Sequence, residues 1–122
     1  MKLGRKGGAV TRSPSESEIR KKSYEFLLLS GVRCSTINYQ PTQRTRRGAY
    51  QASVGVADIT GCFRGRHFEI ELKTTAGVQS EGQKNWQRTV EEAGGRYWIA
   101  RSVEEVMDIV DEMKRWNREG IK

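Results

Sequence analysis

The sequence has no apolar run long enough to cross a bilayer. A membrane helix needs ~18 or more consecutive apolar residues, and the run Phe26–Leu29 has four. It also lacks the apolar core of a secretory signal, since residues 1–15 are basic, glycine-rich and polar. The chain is therefore expected to be cytoplasmic, with no membrane span. Cysteine is scarce. Cys34 and Cys62 are too few and too far apart for a disulfide framework, and with the one histidine, His67, they cannot close a four-ligand zinc site. Both read as buried, reduced thiols that pack as small hydrophobes. There are no internal repeats.

What the sequence does hold is charge. Its 122 residues are 35% hydrophobic and 30% charged, a balance that fits one globular domain and excludes a disordered chain. The net charge of +7 is unevenly placed: residues 1–67 carry 13 Lys and Arg against 4 Asp and Glu, and residues 68–122 carry 9 against 11. Such asymmetry points to an anionic partner on one surface, nucleic acid before anionic membrane.

Residues 1–14 read as a mobile basic tail and 15–122 as a single domain. Ser13-Pro14 with Glu16, and Ser15 with Glu18, are overlapping helix-start signals. Ile19, Ser23, Phe26, Leu27 and Ser30 share one helical stripe, and Gly31 is the expected stop. Val32–Tyr39 reads as a strand ending before Pro41, and Gln40–Gln51 as a loop rich in arginine. Val54–Cys62 and His67–Lys73 are two further strands joined across Phe63-Arg64-Gly65-Arg66. Ser80 with Gln83 starts a second helix, which Gly94-Gly95 end. Tyr97–Ala100 is a short strand. Ser102 with Glu105 opens a last helix whose Val103, Val106, Met107, Val110 and Met113 form the expected buried face. The order α-β-β-β-α-β-α predicts an α/β fold, a mixed β-sheet flanked by helices.

A turn centred between Arg64 and Gly65 pairs residues whose numbers sum to 129, which sets Asp58 opposite Glu71. Cross-strand neighbours have Cβ atoms about 4.5–5.5 Å apart, near enough for two carboxylates to share one divalent ion. Side chains alternate along a strand, so Lys73 joins Glu71 on one polar patch while Ile70 and Leu72 face the core with Ile59. Carboxylates this close repel unless a cation or proton intervenes. Hard oxygen ligands favour Mg²⁺ or Mn²⁺ over zinc. A lysine beside such an ion can orient or deprotonate a water, or stabilise charge building on a phosphate. The competing expectation is a solvated, salt-bridged sheet face.

The runs G-V-A-D-I-T-G (Gly55–Gly61), F-E-I-E-L-K (Phe68–Lys73) and G-V-Q-S-E-G-Q-K-N-W (Gly77–Trp86) resemble the virus-type replication-repair nuclease (VRR-NUC) domain of the PD-(D/E)XK nuclease superfamily. The likeness runs from the first helix to about Ala100, and the S-x-x-Q-x-x-W element makes it specific within that superfamily. One departure is Ala57, where many members have proline. The resemblance implies a restriction-endonuclease-like core in which Asp58 and Glu71 bind Mg²⁺ or Mn²⁺, with the backbone carbonyl of Leu72 as a third oxygen. It implies that Lys73 activates the attacking water, that Glu18 is a further acidic member of the site and metal set, and that Gln83 lies close to it. Glu18 and Gln83 are equally placed to complete helix caps with Ser15 and Ser80. Glu69, on the strand face of Glu71, is the rival ligand. His67 reads as a surface residue near the hairpin tip, and Trp86 as core rather than a base-stacking platform.

Arg44, Arg46 and Arg47 could clamp a phosphate backbone by charge-assisted bonds, or form a solvated loop. The function implied is a metal-dependent DNA endonuclease acting on branched or structured DNA, such as a Holliday junction, in replication, recombination or repair of a phage or mobile element in a bacterial cell. The alternatives are a non-catalytic nucleic-acid-binding module on the same fold, which the intact Asp58, Glu71 and Lys73 weigh against, and an RNA-processing nuclease. A homodimer is expected, because two antiparallel strands need two sites in matching polarity. Trp98 and Trp116 are the candidate apolar contact.

Overall fold

A computed structural model describes residues 13–37 and 57–119. Residues 1–12 of the expected 1–14 tail, and the arginine-rich loop at 40–51 with arginines 44, 46 and 47, lie outside the described residues. The described elements run α1 (Glu16–Leu29), β1 (Arg33–Thr36), β2 (Ile59–Phe63), β3 (Arg66–Leu72), α2 (Glu81–Glu92), β4 (Arg96–Ala100) and α3 (Val103–Glu119). The sheet is mixed and four-stranded in the order β1-β2-β3-β4, antiparallel except for the parallel β3–β4 pair. That pair needs a crossover, and α2 supplies it. The expected α/β order holds. No described helix is long and apolar enough to cross a membrane.

Local chemistry sets the element ends. Ser15 and Glu18 close a capping box on α1, and Gly31 takes φ 85° just beyond it. Ile19, Ser23 and Leu27, spaced at i+4, are its buried stripe. The β2–β3 turn places both Arg64 (φ 51°) and Gly65 (φ 85°) in the left-handed region, as a two-residue type I′ hairpin requires. That turn sets the register: Phe63 pairs with Arg66, and the ladder runs on to Ile59 with Ile70. Each pair sums to 129, as expected. The ladder ends there; continued one step further, the same sum would set Asp58 opposite Glu71. Among the described residues β1 ends at Thr36 and β2 starts at Ile59, and the rest of the expected strands, 38–39 and 54–56, lies outside them. At Gly61 only glycine fits, because a Cβ there would lie 2.3 Å from the carbonyl oxygen of Arg33 on β1.

Every residue of β3 from Phe68 to Leu72 is buried, so both faces of this central strand are covered. Phe68, Ile70 and Leu72 join Ile19, Leu27, Val106, Val110 and Met113 in the main core under α1 and α3. On the other face Ala57, Val90 and Tyr97 form a smaller cluster with Trp86 and Ile99. Glu69 and Glu71 lie on that second face, and their side chains are buried rather than set in an open polar patch.

Two expectations about packing need correction. Cys62 is exposed, since it faces the same side as its cross-strand partner His67 near the hairpin tip; Cys34 is half-buried, and burial raises its thiol to about 11. Met107 is 40% exposed, and Ile109 takes its place in the α3 stripe with Val106, Val110 and Met113. Trp98 and Trp116 stack on each other with ring centroids 5.9 Å apart. Arg96 lies 4.7 Å over Trp98 and Arg66 4.7 Å over Trp116, so part of each indole is covered within the chain.

Candidate active site

The hairpin register brings the candidate groups together. A two-residue turn makes Phe63–Arg66 the first hydrogen-bonded pair, and such pairs alternate with closer, non-bonded ones. By that alternation Asp58–Glu71 falls on a non-bonded position, where opposed side chains are nearest. Asp58 is anchored through its backbone, whose carbonyl accepts from Ile37 N–H at 2.8 Å. Its Oδ2 accepts from Leu72 N–H at 2.8 Å, and its Oδ1 lies 3.7 Å from Arg20 Nη1 on α1. In a strand the amide and carbonyl of one residue point the same way, so the Leu72 carbonyl also faces the Asp58 side.

Glu71 is fully buried. Its Oε1 accepts from the Tyr97 hydroxyl at 2.5 Å and from Gln79 Nε2 at 3.4 Å. Its Oε2 is 3.2 Å from Lys73 Nζ, an ion-pair distance without hydrogen-bond alignment, so this buried oxygen has no hydrogen bond. A buried carboxylate oxygen without a hydrogen bond is costly, and a water or a cation is a partner that would complete it. Lys73 sits just past β3, its N–H bound to the Ala100 carbonyl at 3.0 Å and its side chain only 17% exposed.

Electrostatics mark the same corner. Burial raises the Asp58 carboxyl above the usual carboxylate range; the Leu72 amide, Arg20 and Lys73 oppose that shift, and Glu71 adds to it. Glu16 on α1 is raised as well, first by burial and then by Asp58, with Glu71 contributing and Lys73 and Arg20 opposing. Burial, followed by its bond to Glu71, raises the Tyr97 phenol far above its ordinary value. Glu16 and Asp58 therefore both lie in the field of Glu71, one lysine and one arginine.

This arrangement suits a hard divalent cation. Among the described residues no set of three acidic, histidine or cysteine side chains is close enough to form a complete metal cage. Mg²⁺ does not require one: it is commonly held by one or two carboxylates, with waters and substrate phosphates completing its octahedron. Asp58 and Glu71 supply two such carboxylates, and the unsatisfied Oε2 of Glu71 is an available donor.

The other expected members are placed differently. Glu18 closes the α1 capping box, its Oε1 accepting from Ser15 N–H at 2.9 Å, while Glu16 is the α1 acid that senses Asp58 and Glu71. Gln83 closes the α2 cap, its Oε1 accepting from Ser80 N–H at 2.8 Å, and the glutamine that reaches Glu71 is Gln79. Glu69 accepts from Trp86 Nε1 at 2.7 Å and from the Ala57 amide at 3.4 Å, and contacts His67 Nε2 at 2.8 Å, so both its oxygens are occupied. Trp86 thus packs in the second cluster and fixes Glu69 through its polar edge.

Glu16, Arg20, Gln79 and Tyr97 were not among the residues expected here. The i,i+4 spacing of Glu16 and Arg20 on one helical face is a signal that could have found the first two. Tyr97 pairs with Glu69 in the parallel β3–β4 register and reaches Glu71 diagonally, a relationship no hairpin arithmetic contains. No protein-family model matches the chain, and no curated protein matches it.

Proposed function

We propose that this chain is a metal-dependent nuclease that hydrolyses phosphodiester bonds in DNA, in keeping with the likeness of its three sequence runs to the VRR-NUC branch of the PD-(D/E)XK superfamily. The observation that carries the reading is the meeting of Asp58, Glu71 and Lys73 at the open end of the β2–β3 hairpin, with one oxygen of Glu71 buried and lacking a hydrogen bond.

Asp58 and Glu71 would hold Mg²⁺ or Mn²⁺, with the Leu72 carbonyl, and Glu16 rather than Glu18 as the nearby α1 acid. The bound ion supplies positive charge against the scissile phosphate and lowers the pKa of a coordinated water. The chain's own residues do the rest. Tyr97 and Gln79 hold Oε1 of Glu71 from the inside, which turns Oε2 towards Lys73. Lys73, paired with that oxygen, is placed to orient the attacking water or to stabilise charge on the phosphate. Arg20, 3.7 Å from Asp58, adds a second cation at the rim that a phosphate oxygen can address.

DNA is the preferred substrate class because the chain carries a net charge of +7 and the resemblance points to replication and repair. Branched or structured DNA is favoured, with a homodimer as the working unit. The experiment is an incubation of the full chain with supercoiled plasmid, a synthetic four-way junction and a structured RNA, each with Mg²⁺, Ca²⁺ or EDTA. Cutting of DNA with Mg²⁺, little with Ca²⁺ and none in EDTA is the expected result. Undiminished cutting in EDTA would sink the mechanism, and cutting of RNA alone would reassign the substrate.

A further inference from the structure

Lys73 and Gln79 both act on Glu71, yet neither belongs to a strand or helix. They bracket the loop between β3 and α2, so something must hold that loop in shape. It contains one described backbone bond of its own, Gly77 N–H to the Thr74 carbonyl at 3.0 Å. Three of its carbonyls, Thr74, Thr75 and Gly77, turn towards Arg101. Its Nη1 donates to Thr74 O at 2.9 Å and Gly77 O at 2.8 Å, and Thr75 O lies at 3.5 Å, the limit of a weak bond. One guanidinium thus ties both ends of the turn.

We propose that Arg101 is a positioning residue for the nuclease site: its guanidinium clamps the Thr74–Gly77 turn, and through that turn fixes the Lys73 ammonium and the Gln79 amide on Glu71. This rests on the nuclease reading above. The route is short on each side. A Cβ at Gly77 would lie 3.1 Å from Cδ of Lys73, so the turn backbone runs directly beside the lysine stem and borders the space it occupies. Two residues on, Gln79 Nε2 reaches Glu71 Oε1 at 3.4 Å and Gln87 Oε1 at 3.0 Å. Arg101 is itself anchored. It follows the last residue of β4, and its N–H donates to Glu105 Oε1 at 2.6 Å, where Ser102 caps α3. The clamp therefore joins the site to the end of β4 and the start of α3. An arginine suits the place because its planar guanidinium holds Nη1 at a fixed orientation between the carbonyls, whereas an ammonium turns freely on a flexible stem.

The test uses the full chain with Arg101→Met, which keeps much of the stem and removes every donor, and Arg101→Lys, which keeps the charge and one point of donation. Residue-resolved hydrogen exchange is measured at Gly77, with Trp98 and Val110 as references, and kcat and KM are measured on DNA with Mg²⁺. In Arg101→Met, Gly77 exchange should accelerate while Trp98 and Val110 keep their rates. The kcat should fall about 10–100-fold with KM within about two-fold, as for a misplaced group remote from the bond being broken. Arg101→Lys should recover part of both effects. An unchanged kcat, or a fall in kcat without faster exchange at Gly77, overturns the proposal. If Arg101→Met does not fold, Arg101→Lys decides by the same two readings. A wild-type chain that cuts no nucleic acid would refute the nuclease reading instead, and the exchange at Gly77 would then stand alone in judging whether Arg101 holds the turn.

Discussion

Tyr97 donates its hydroxyl to Oε1 of Glu71 at 2.5 Å across the parallel β3–β4 pair. Glu71 is fully buried, so this bond is made in a low-dielectric setting where losing it leaves a carboxylate poorly satisfied. Tyr97→Phe should lower metal-free stability by about 1.5–3 kcal/mol, the range for hydrogen bonds to charged groups. Urea unfolding in EDTA checks this, and an unchanged midpoint would mean that the bond contributes nothing net. Cleavage by the same variant should also slow, because Glu71 loses the partner that aims it.

Lys73→Met keeps the apolar stem beside Gly77 and removes the ammonium 3.2 Å from Glu71. If the lysine does acid–base work, turnover should fall at least ~10²-fold, while Mn²⁺ binding persists in calorimetry. A variant that cuts at the wild-type rate would remove Lys73 from the mechanism.

Asp58 and Glu16 are both held above the usual carboxylate range, mainly by burial and, for Glu16, next by the charge of Asp58. Between their unfolded and folded pKa values the native state binds more protons than the unfolded state. Their contribution to stability is therefore present at low pH and is lost as pH rises through that window. Metal-free Asp58→Asn should then be more stable than wild type at about pH 7, with the gain vanishing at about pH 3 where the wild-type carboxyl is protonated. Added Mg²⁺ should stabilise wild type and not the variant. Thermal melts at the two pH values read both effects, and a variant less stable than wild type at neutral pH in EDTA contradicts the sign.

Replacing Arg44, Arg46 and Arg47 together with alanine should weaken DNA binding and flatten its salt dependence. Each lost phosphate contact removes about 0.9 from the slope of log affinity against log salt. An unchanged slope would mean that these arginines do not touch the backbone.

A homodimer should run at twice the chain's 13.9 kDa in light scattering at micromolar concentration. Full cleavage of a four-way junction by a species of single-chain mass would refute the dimer as the working unit.

The hairpin is legible in the sequence because a two-residue turn converts sequence distance directly into register, from Phe63 with Arg66 to Ile59 with Ile70. The helix starts at Ser15, Ser80 and Ser102 were legible for a similar reason: capping bonds span three residues and need no tertiary contact. The same locality explains where Glu18 and Gln83 sit. Both close their own helix ends, while Glu16 and Gln79 reach partners on other elements. Tyr97 and Arg101 were out of reach because a parallel crossover sets their register, and the crossover's geometry depends on how α2 packs. The burial of Glu69 and Glu71 was hidden too, since alternation predicts which face a residue takes but not whether a helix covers it.

The Trp98–Trp116 stack carries an optical consequence. Two indoles with centroids 5.9 Å apart and planes 12° from parallel are close enough for their excited states to couple. One ring belongs to β4 and the other to α3, so that coupling exists only while the helix is docked on the sheet. The third indole, Trp86, stands alone on α2 with its nitrogen on Glu69. Near-ultraviolet dichroism and emission will therefore carry two separable signals, one from α3 docking and one from the covered carboxylate face. If both vanish at one denaturant concentration the domain unfolds as a unit, and if the Trp86 signal goes first, α2 lifts from the sheet while the rest stays folded.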